Sequence, residues 1–364
     1  MRPSFQQSRD CLPMDFDDVN AFIGLLYMAG LLRSHHLHTS EFWSSDGTAP
    51  EFFAAVMSQM RFYTLLRAIR FDDSNSRKNR AELDNLAPIH DIFERFVHQC
   101  SACYTVGIYK TIDEMLEYFR GRCRFRQYIA NKAARYGIKI YSLADARTYY
   151  TYNMDIYAGR QPDGQYKLPN DASSVVKRLI LPIDKSGRNK EQWTIISPRC
   201  PWRMISTQIT TDLSRVKGRP LYSSMWAYGK GSNNCILTSY VPRKNKNVIL
   251  LSSYHNDDAI DGDTKDVFKP ELITFYNSTK GGVDVVDRLK SEYSATRKSN
   301  RWPFTVFCTL LNIATINSQI IYRDNTRIIM RRRSYISDLQ HTVPPFTKKS
   351  LYASSKYTIT PKDS

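Results

Sequence analysis

The sequence predicts an α/β protein whose first hundred residues are all helical. Three observations carry that expectation. Amphipathic helical patterns fill residues 15–104, and near residue 105 the texture turns to β-branched and aromatic runs. A short helix at 173–181 then follows three strands, the order of an α/β or α+β domain.

Asp15 to Arg33 reads as a helix, with acids at its start, apolar Phe22, Ile23, Leu25, Leu26 and Met28, and a closing Arg33. Phe52 to Phe71 reads as one further helix, Asp72 to Ala87 as loop, and His90 to Tyr104 as a third helix. His35, His36 and His38 fall in a loop without helical ligand spacing. Tyr109 to Met115 alternates as a strand ending near Asp113, and Arg120-Gly121-Arg122 reads as a turn. Ile138 to Leu143 and Tyr149 to Tyr157 read as strands, and Cys235 to Tyr254 as a hairpin around the basic turn 243–247. Phe304 to Tyr322 is the most apolar segment, a buried helix with Asn312 and Asn317 as its few polar groups. Arg323, Arg327 and Arg331 to Arg333 follow, placed to complement the helix dipole, to touch DNA or to serve as an import signal. There is no internal repeat.

Composition narrows the function. The chain has 364 residues, room for two or more domains, with 42% hydrophobic and 12% aromatic residues. Lys plus Arg number 52 against 35 Asp plus Glu, a net +17 that favours a polyanionic partner. Seven scattered cysteines (11, 100, 103, 123, 200, 235, 308) with one CxxC pair predict a reduced intracellular chain without zinc. No apolar run reaches the ~20 residues of an uninterrupted membrane span, so no membrane partner is expected.

Two stretches carry chemistry. In NSTKGGVDVVDRLKSEYSATRKSNRWP, residues 277–303, a Gly281-Gly282 pair precedes Asp284 and Asp287 at i and i+3, one turn apart on one helix face. Arg288, Lys290, Arg297, Lys298, Arg301 and Trp302 follow, with Glu292 as the one opposing acid. Paired acids within a basic run fit a divalent metal acting on a bound polyanion. Acids at this spacing are also common on plain helix surfaces. In the second stretch, Arg120, Arg122, Arg124, Arg126, Lys132, Arg135 and Lys139 carry no acid among them and are interleaved with Phe125, Tyr128 and Tyr136. That pattern suits phosphates and stacked bases.

These residues resemble the piggyBac transposases and the transposable-element-derived proteins descended from them. The matching text is DNLAPIHDIFERF (84–96), TIDEML with FRGRCRFRQYI (111–129), KAARYGIKIYSLAD (132–145), VPRKNKNVILLSS (241–253), and FYNSTKGGVDVVDRL through RKSNRWP (275–303). The resemblance implies an RNase H-like catalytic core that cuts and joins double-stranded DNA at transposon ends and TTAA targets, using Mg²⁺ or Mn²⁺. Asp113 matches the first catalytic and metal-binding acid, Asp284 the last of the triad, and Asp287 an additional acid beside it. A pair of metals about 3.5–4 Å apart requires several such carboxylates.

The resemblance also implies a split architecture: a helical DNA-binding and dimerisation part at 1–108, the core at 109–205 and 271–293, a β-rich insertion domain at 206–270, a second helical part at 294–340, and a loose tail at 341–364. A homodimer in the nucleus is expected. The cysteine-rich zinc domain of many members is not matched in this sequence.

The second catalytic acid departs from the pattern. Members carry a motif like D-N-[WFY]-[FY]-T-S-[IVL]-P-L-A after a GSGRN-like turn. Lys185-Ser-Gly-Arg-Asn189 is present, but KEQWTIISPRCPWRMI follows, with Glu191 its one acid. Shifting the frame so that the last base of each codon joins the first two of the next turns Trp193-Thr194 into Asp (GAC). Met204-Ile205 likewise becomes Asp, and D-N-Y-F-T-S-V-P-L-A-N-D becomes permissible between them. The segment from Lys190 to about Thr210 therefore reads as out of frame; genuine divergence and a misplaced splice site are the alternatives. As written, the chain is expected to have lost both the acid and a core strand, leaving a DNA-binding protein with impaired cleavage. An active recombinase behind a faulty translation and a non-catalytic chromatin module are the alternatives.

Overall fold

The computed structural model describes residues 13–34, 37–130, 132–184, 194–196, 213, 217–229 and 235–341. Helix α1, Phe16–Leu31, starts at a capping box: the Asp18 N–H donates to Asp15 Oδ1 at 2.7 Å, and the Asp15 N–H donates back to Asp18. Its buried side holds Phe22, Leu25 and Leu26. The single helix expected over 52–71 is two, α2 (Glu51–Val56) and α3 (Gln59–Ala68). Met57 is extended, and the Ser58 hydroxyl accepts from the Arg61 N–H at 3.1 Å, capping a new start. The expected loop at 72–87 contains a short helix, α4 (Arg77–Ala81), tied down by Asp72, whose carboxylate accepts from Arg77 and Arg80. Helix α5 is His90–Cys103.

One ion pair makes this part pH-sensitive. Asp84 is 3% exposed and lies 2.8 Å from His90 Nδ1, while Gln161 Nε2 donates to its other oxygen at 2.9 Å. The Asp84 carboxylate beside the ring raises the His90 pKa against the opposing effect of burial. A raised histidine contributes stability that is complete below its unfolded pKa of about 6.5 and is lost as pH rises through the folded value. Thermal melts are expected to show that loss from neutral pH upward in the unmodified chain and not in His90→Ala.

Strands β1 (Tyr109–Tyr118), β2 (Gln127–Tyr128), β3 (Tyr136–Asp145), β4 (Thr151–Ile156) and β5 (Thr194–Ile196) form one sheet, with α6 (Ala172–Asp184) packed against β3 and β4. β1 lies between β3, antiparallel with Asp113 opposite Ser142, and β5, parallel with Ile196 opposite Thr111. β3 also pairs antiparallel with β2 and β4. Two expectations are corrected here. β1 does not end near Asp113 but runs on to Tyr118, because burial continues through Leu116. Part of the segment expected to lose a core strand still pairs with the sheet, since residues 194–196 hydrogen-bond in parallel along the edge of β1. Lys185 to Asn189 and the remainder of 190–210 lie outside the described residues.

A second sheet orders β6 (Ser224–Tyr228), β7 (Ile236–Arg243) and β8 (Lys246–Ser252), the last two forming the expected hairpin with Asn245 at φ +60 in its turn. Tyr240 and Ile236 pack with Leu272 and Ile273 of α7 (Glu271–Thr279).

The chain closes with α8 (Gly282–Glu292), α9 (Trp302–Thr326) and α10 (Arg332–His341). α9 has the length and mean hydropathy of a membrane span, but polar residues interrupt it, as expected, and 72% of its most apolar window is buried against the rest of the protein. Its polar groups tie the core together. Asn312 Oδ1 accepts from the Ala295 N–H at 2.8 Å, and Asn317 accepts from and donates to the Thr151 backbone at 2.9 and 2.8 Å. One hydrophobic cluster joins α1, α3, α5, the first sheet and α9. The tail beyond 341 lies outside the described residues.

Candidate active site

α8 meets the sheet at the glycine pair. A Cβ on Gly282 would lie 2.8 Å from Thr111 Oγ1, so only glycine permits this approach to β1. Thr111 Oγ1 donates to the Thr279 carbonyl at 2.7 Å, pinning the α7–α8 corner on the same strand. Val283 and Val286 turn inward, which leaves Asp284 and Asp287 on the outer part of the helix. Thr111, Asp113 and Glu117 share one face of β1 by strand alternation, and that face runs along α8.

Asp113 and Asp284 lie within electrostatic reach of each other and of Lys132. Asp113 is half-buried and accepts from the Glu114 N–H at 2.8 Å. Burial pushes its pKa up and the negative charge of Asp284 adds to that push, against the pull of Lys132. Asp284 is exposed, with a carboxylate oxygen 3.9 Å from Lys132 Nζ, which also donates to the Glu114 carbonyl at 3.0 Å. Burial raises the Tyr276 hydroxyl pKa, and the charges of Asp113 and Asp284 add to it.

Asp287, expected on the same helix face, is engaged by a lysine of its own helix. Its Oδ1 lies 2.9 Å from Lys290 Nζ, and Lys290 also contacts Glu117 Oε1. Three residues along a helix turn the side chain by about 60°, enough for two neighbouring acids to meet different partners. Among the described residues no group of three His, Cys, Asp or Glu side chains is placed to hold a metal ion. In donor chemistry Asp113 and Asp284 suit Mg²⁺, an ion bound through one or two carboxylates while keeping water and phosphate oxygens. Glu117 and Tyr276 are not among the residues the sequence points to, and Lys290 reads there only as one cation of the basic run. Glu117 was legible as sharing alternation with Asp113, and Lys290 as three residues past Asp287, but nothing in the pattern paired them.

The basic residues divide sharply. Arg120, Arg122, Arg124 and Arg126 are exposed on the loop from β1 to β2. Arg126 Nη1 closes that loop by donating to the Arg120 and Gly121 carbonyls at 2.8 and 3.0 Å. The four line a cavity of about 1190 Å³ with Lys78, where Glu82 is the one acid. A neighbouring cavity of about 1220 Å³ reaches from Arg120 and Lys298 to Lys132 and Asp287. The two share Arg120, Gly121 and Asn300, so a cationic trough leads from the arginine loop toward the acids.

Several residues expected to touch DNA also have structural partners within the fold. Arg297 is 4% exposed, donates to the Ser34 carbonyl at 2.7 Å and lies 5.1 Å over the Phe42 ring, and burial lowers its pKa to about 10. Arg301 donates to the Leu66, Arg67 and Ile69 carbonyls, capping the end of α3. Trp302 packs edge-on to Phe125, half-buried. Lys139 Nζ sits 4.3 Å over the Tyr157 ring and 4.8 Å over Tyr141. Arg332, read as a terminal contact, donates to the Leu289 carbonyl, with its pKa lowered by burial to about 10.

A family model described as transposase IS4 matches residues 2–189 and 205–319. The chain belongs to the transposase IS4 family. A solved piggyBac transposase, described as a synaptic complex with hairpin DNA, is similar to this transposase-family chain at 31% identity and a TM-score of 0.81. The similarity covers 99% of this chain and 77% of that one. The family match stops at Asn189 and resumes at residue 205, the interval that reads as out of frame.

Proposed function

We propose that this transposase-family chain is a piggyBac-type, DNA-binding protein with an RNase H-like core whose strand cleavage is impaired. The observation that carries the reading is that Asp113 and Asp284, 171 residues apart in sequence, share the charge of Lys132, which lies 3.9 Å from Asp284 and lines the cationic trough. The sheet order with a central β1 parallel to β5 agrees with it. Asp113 and Asp284 would hold Mg²⁺ or Mn²⁺; a bound ion there would polarise the scissile phosphate and activate the attacking oxygen. Lys132 sits where it offsets charge beside both acids. The arginine loop would grip double-stranded DNA by its phosphates, as the hairpin-DNA complex of the similar transposase supports. A transposon-end repeat with a TTAA target, a homodimer and a nuclear location complete the proposal by family likeness and by the net charge of +17.

Cleavage is impaired because the second acid of the motif is absent from 190–204. The interrupted family match favours a second reading of the same gene, an active recombinase whose coding frame is intact across that interval. Gel-shift titrations on transposon-end duplexes, run beside a nicking assay with Mg²⁺, test the first reading. Binding that weakens steeply with salt and yields no nicked product is expected. Nicking that disappears in Asp113→Asn would refute impairment, and salt-insensitive binding would remove the trough.

A further inference from the structure

We propose that Lys290 is a positioning residue: with Glu117 it forms an internal ion bridge that claims Asp287, leaving Asp113 and Asp284 as the acids that hold metal. The inference rests on the metal reading of this site and narrows it to two carboxylates.

Lys290 is 5% exposed and lies between α8 and β1. An ammonium this deeply buried is strongly unfavourable unless it is paired. Its partners come from both elements, Glu117 from the strand and Asp287 from its own helix. The bridge therefore fixes both the rotation of α8 and its height along β1.

That rotation sets the site. Asp284, Asp287 and Lys290 follow one another at intervals of three on α8, while Asp113 and Glu117 are four residues apart on β1, roughly 13 Å along the strand. α8 and β1 lock through Lys290 at one end of their contact, and at the other Lys132 lies 3.9 Å from Asp284, with the charges of both reaching Asp113. A divalent ion bound at about 2.1 Å from Asp287 Oδ1 would sit close to the Lys290 ammonium at 2.9 Å from that same oxygen. Like-charge repulsion at that range disfavours the ion, so Asp287 serves the lysine.

Two measurements on the full chain test this, with Mn²⁺ alone as the probe. In Mn²⁺ titrations followed by electron paramagnetic resonance, Asp113→Asn and Asp284→Asn are each expected to weaken binding by about tenfold or more, and Asp287→Asn by less than about threefold. In metal-free unfolding, the cycle of Asp287→Asn with Lys290→Gln is expected to show coupling of about tenfold or more in the folding equilibrium, with Lys290→Arg restoring much of the loss. Asp287→Asn weakening Mn²⁺ as much as Asp284→Asn overturns the proposal, as does additivity in the cycle. Where Lys290→Gln does not fold, the cycle of Glu117→Gln with Asp287→Asn takes its place under the same criterion. An unmodified chain that binds no Mn²⁺ removes the metal reading and, with it, the two-acid assignment, whereas coupling without metal binding would leave the ion bridge alone standing.

Discussion

Reading codons 190–205 in the alternative frame is expected to raise Mg²⁺-dependent strand cleavage by at least about 10²-fold over the chain as written. The physical reason is ligand count. Two carboxylates hold one hydrated ion loosely, and a third fixes its place relative to the scissile bond. Three independent observations converge on this interval. Trp193-Thr194 and Met204-Ile205 must encode Asp in the shifted frame, the family match is interrupted between 189 and 205, and the backbone at 194–196 pairs parallel with the strand that carries Asp113. A nicking assay on transposon-end duplexes, with Asp113→Asn in the restored background as control, measures the effect. Equal activity in the two forms would show that the missing acid is not what limits the chain.

Replacing Arg120, Arg122, Arg124 and Arg126 together with alanine is expected to weaken duplex binding by about 10²–10³-fold near 0.15 M salt. Every phosphate that is no longer neutralised takes roughly 0.9 from the slope of log K against log salt, so the slope should flatten by about 3 to 4. These side chains are exposed and sit on one cavity wall, so their removal should leave the melting temperature nearly unchanged. Arg297→Ala is expected to do the reverse. It should leave the salt slope intact and destabilise the fold by about 2–4 kcal/mol, because a buried guanidinium that braces Ser34 and Phe42 is replaced by a cavity. Filter binding across a salt series and chemical unfolding of the same samples separate the two classes. An unchanged slope in the fourfold variant would take the arginine loop out of the DNA path.

Much of the architecture is open to reading in one dimension. The helical first hundred residues, the hairpin at 235–254 and the apolar helix near 304–322 follow from periodicity, which reports a local preference for one buried face. The arginine loop is visible because seven cations with no acid among them are a property of composition. The split of 52–71 into two helices is not, since it turns on one extended residue and a serine cap.

The family likeness, the acids at 113 and 284, and the broken second motif all stand in the linear string of residues. Which charges face the polyanion is set by packing in three dimensions. Arg297 and Lys290 look like surface cations in the string, yet one braces Phe42 and the other is locked between Glu117 and Asp287. Local pattern fixes which face of an element is apolar, whereas the partner of a charge depends on which distant strand or helix lies against it. For Asp287 that partner is an ammonium on its own helix, brought inward because α8 packs so closely on β1 at Gly282.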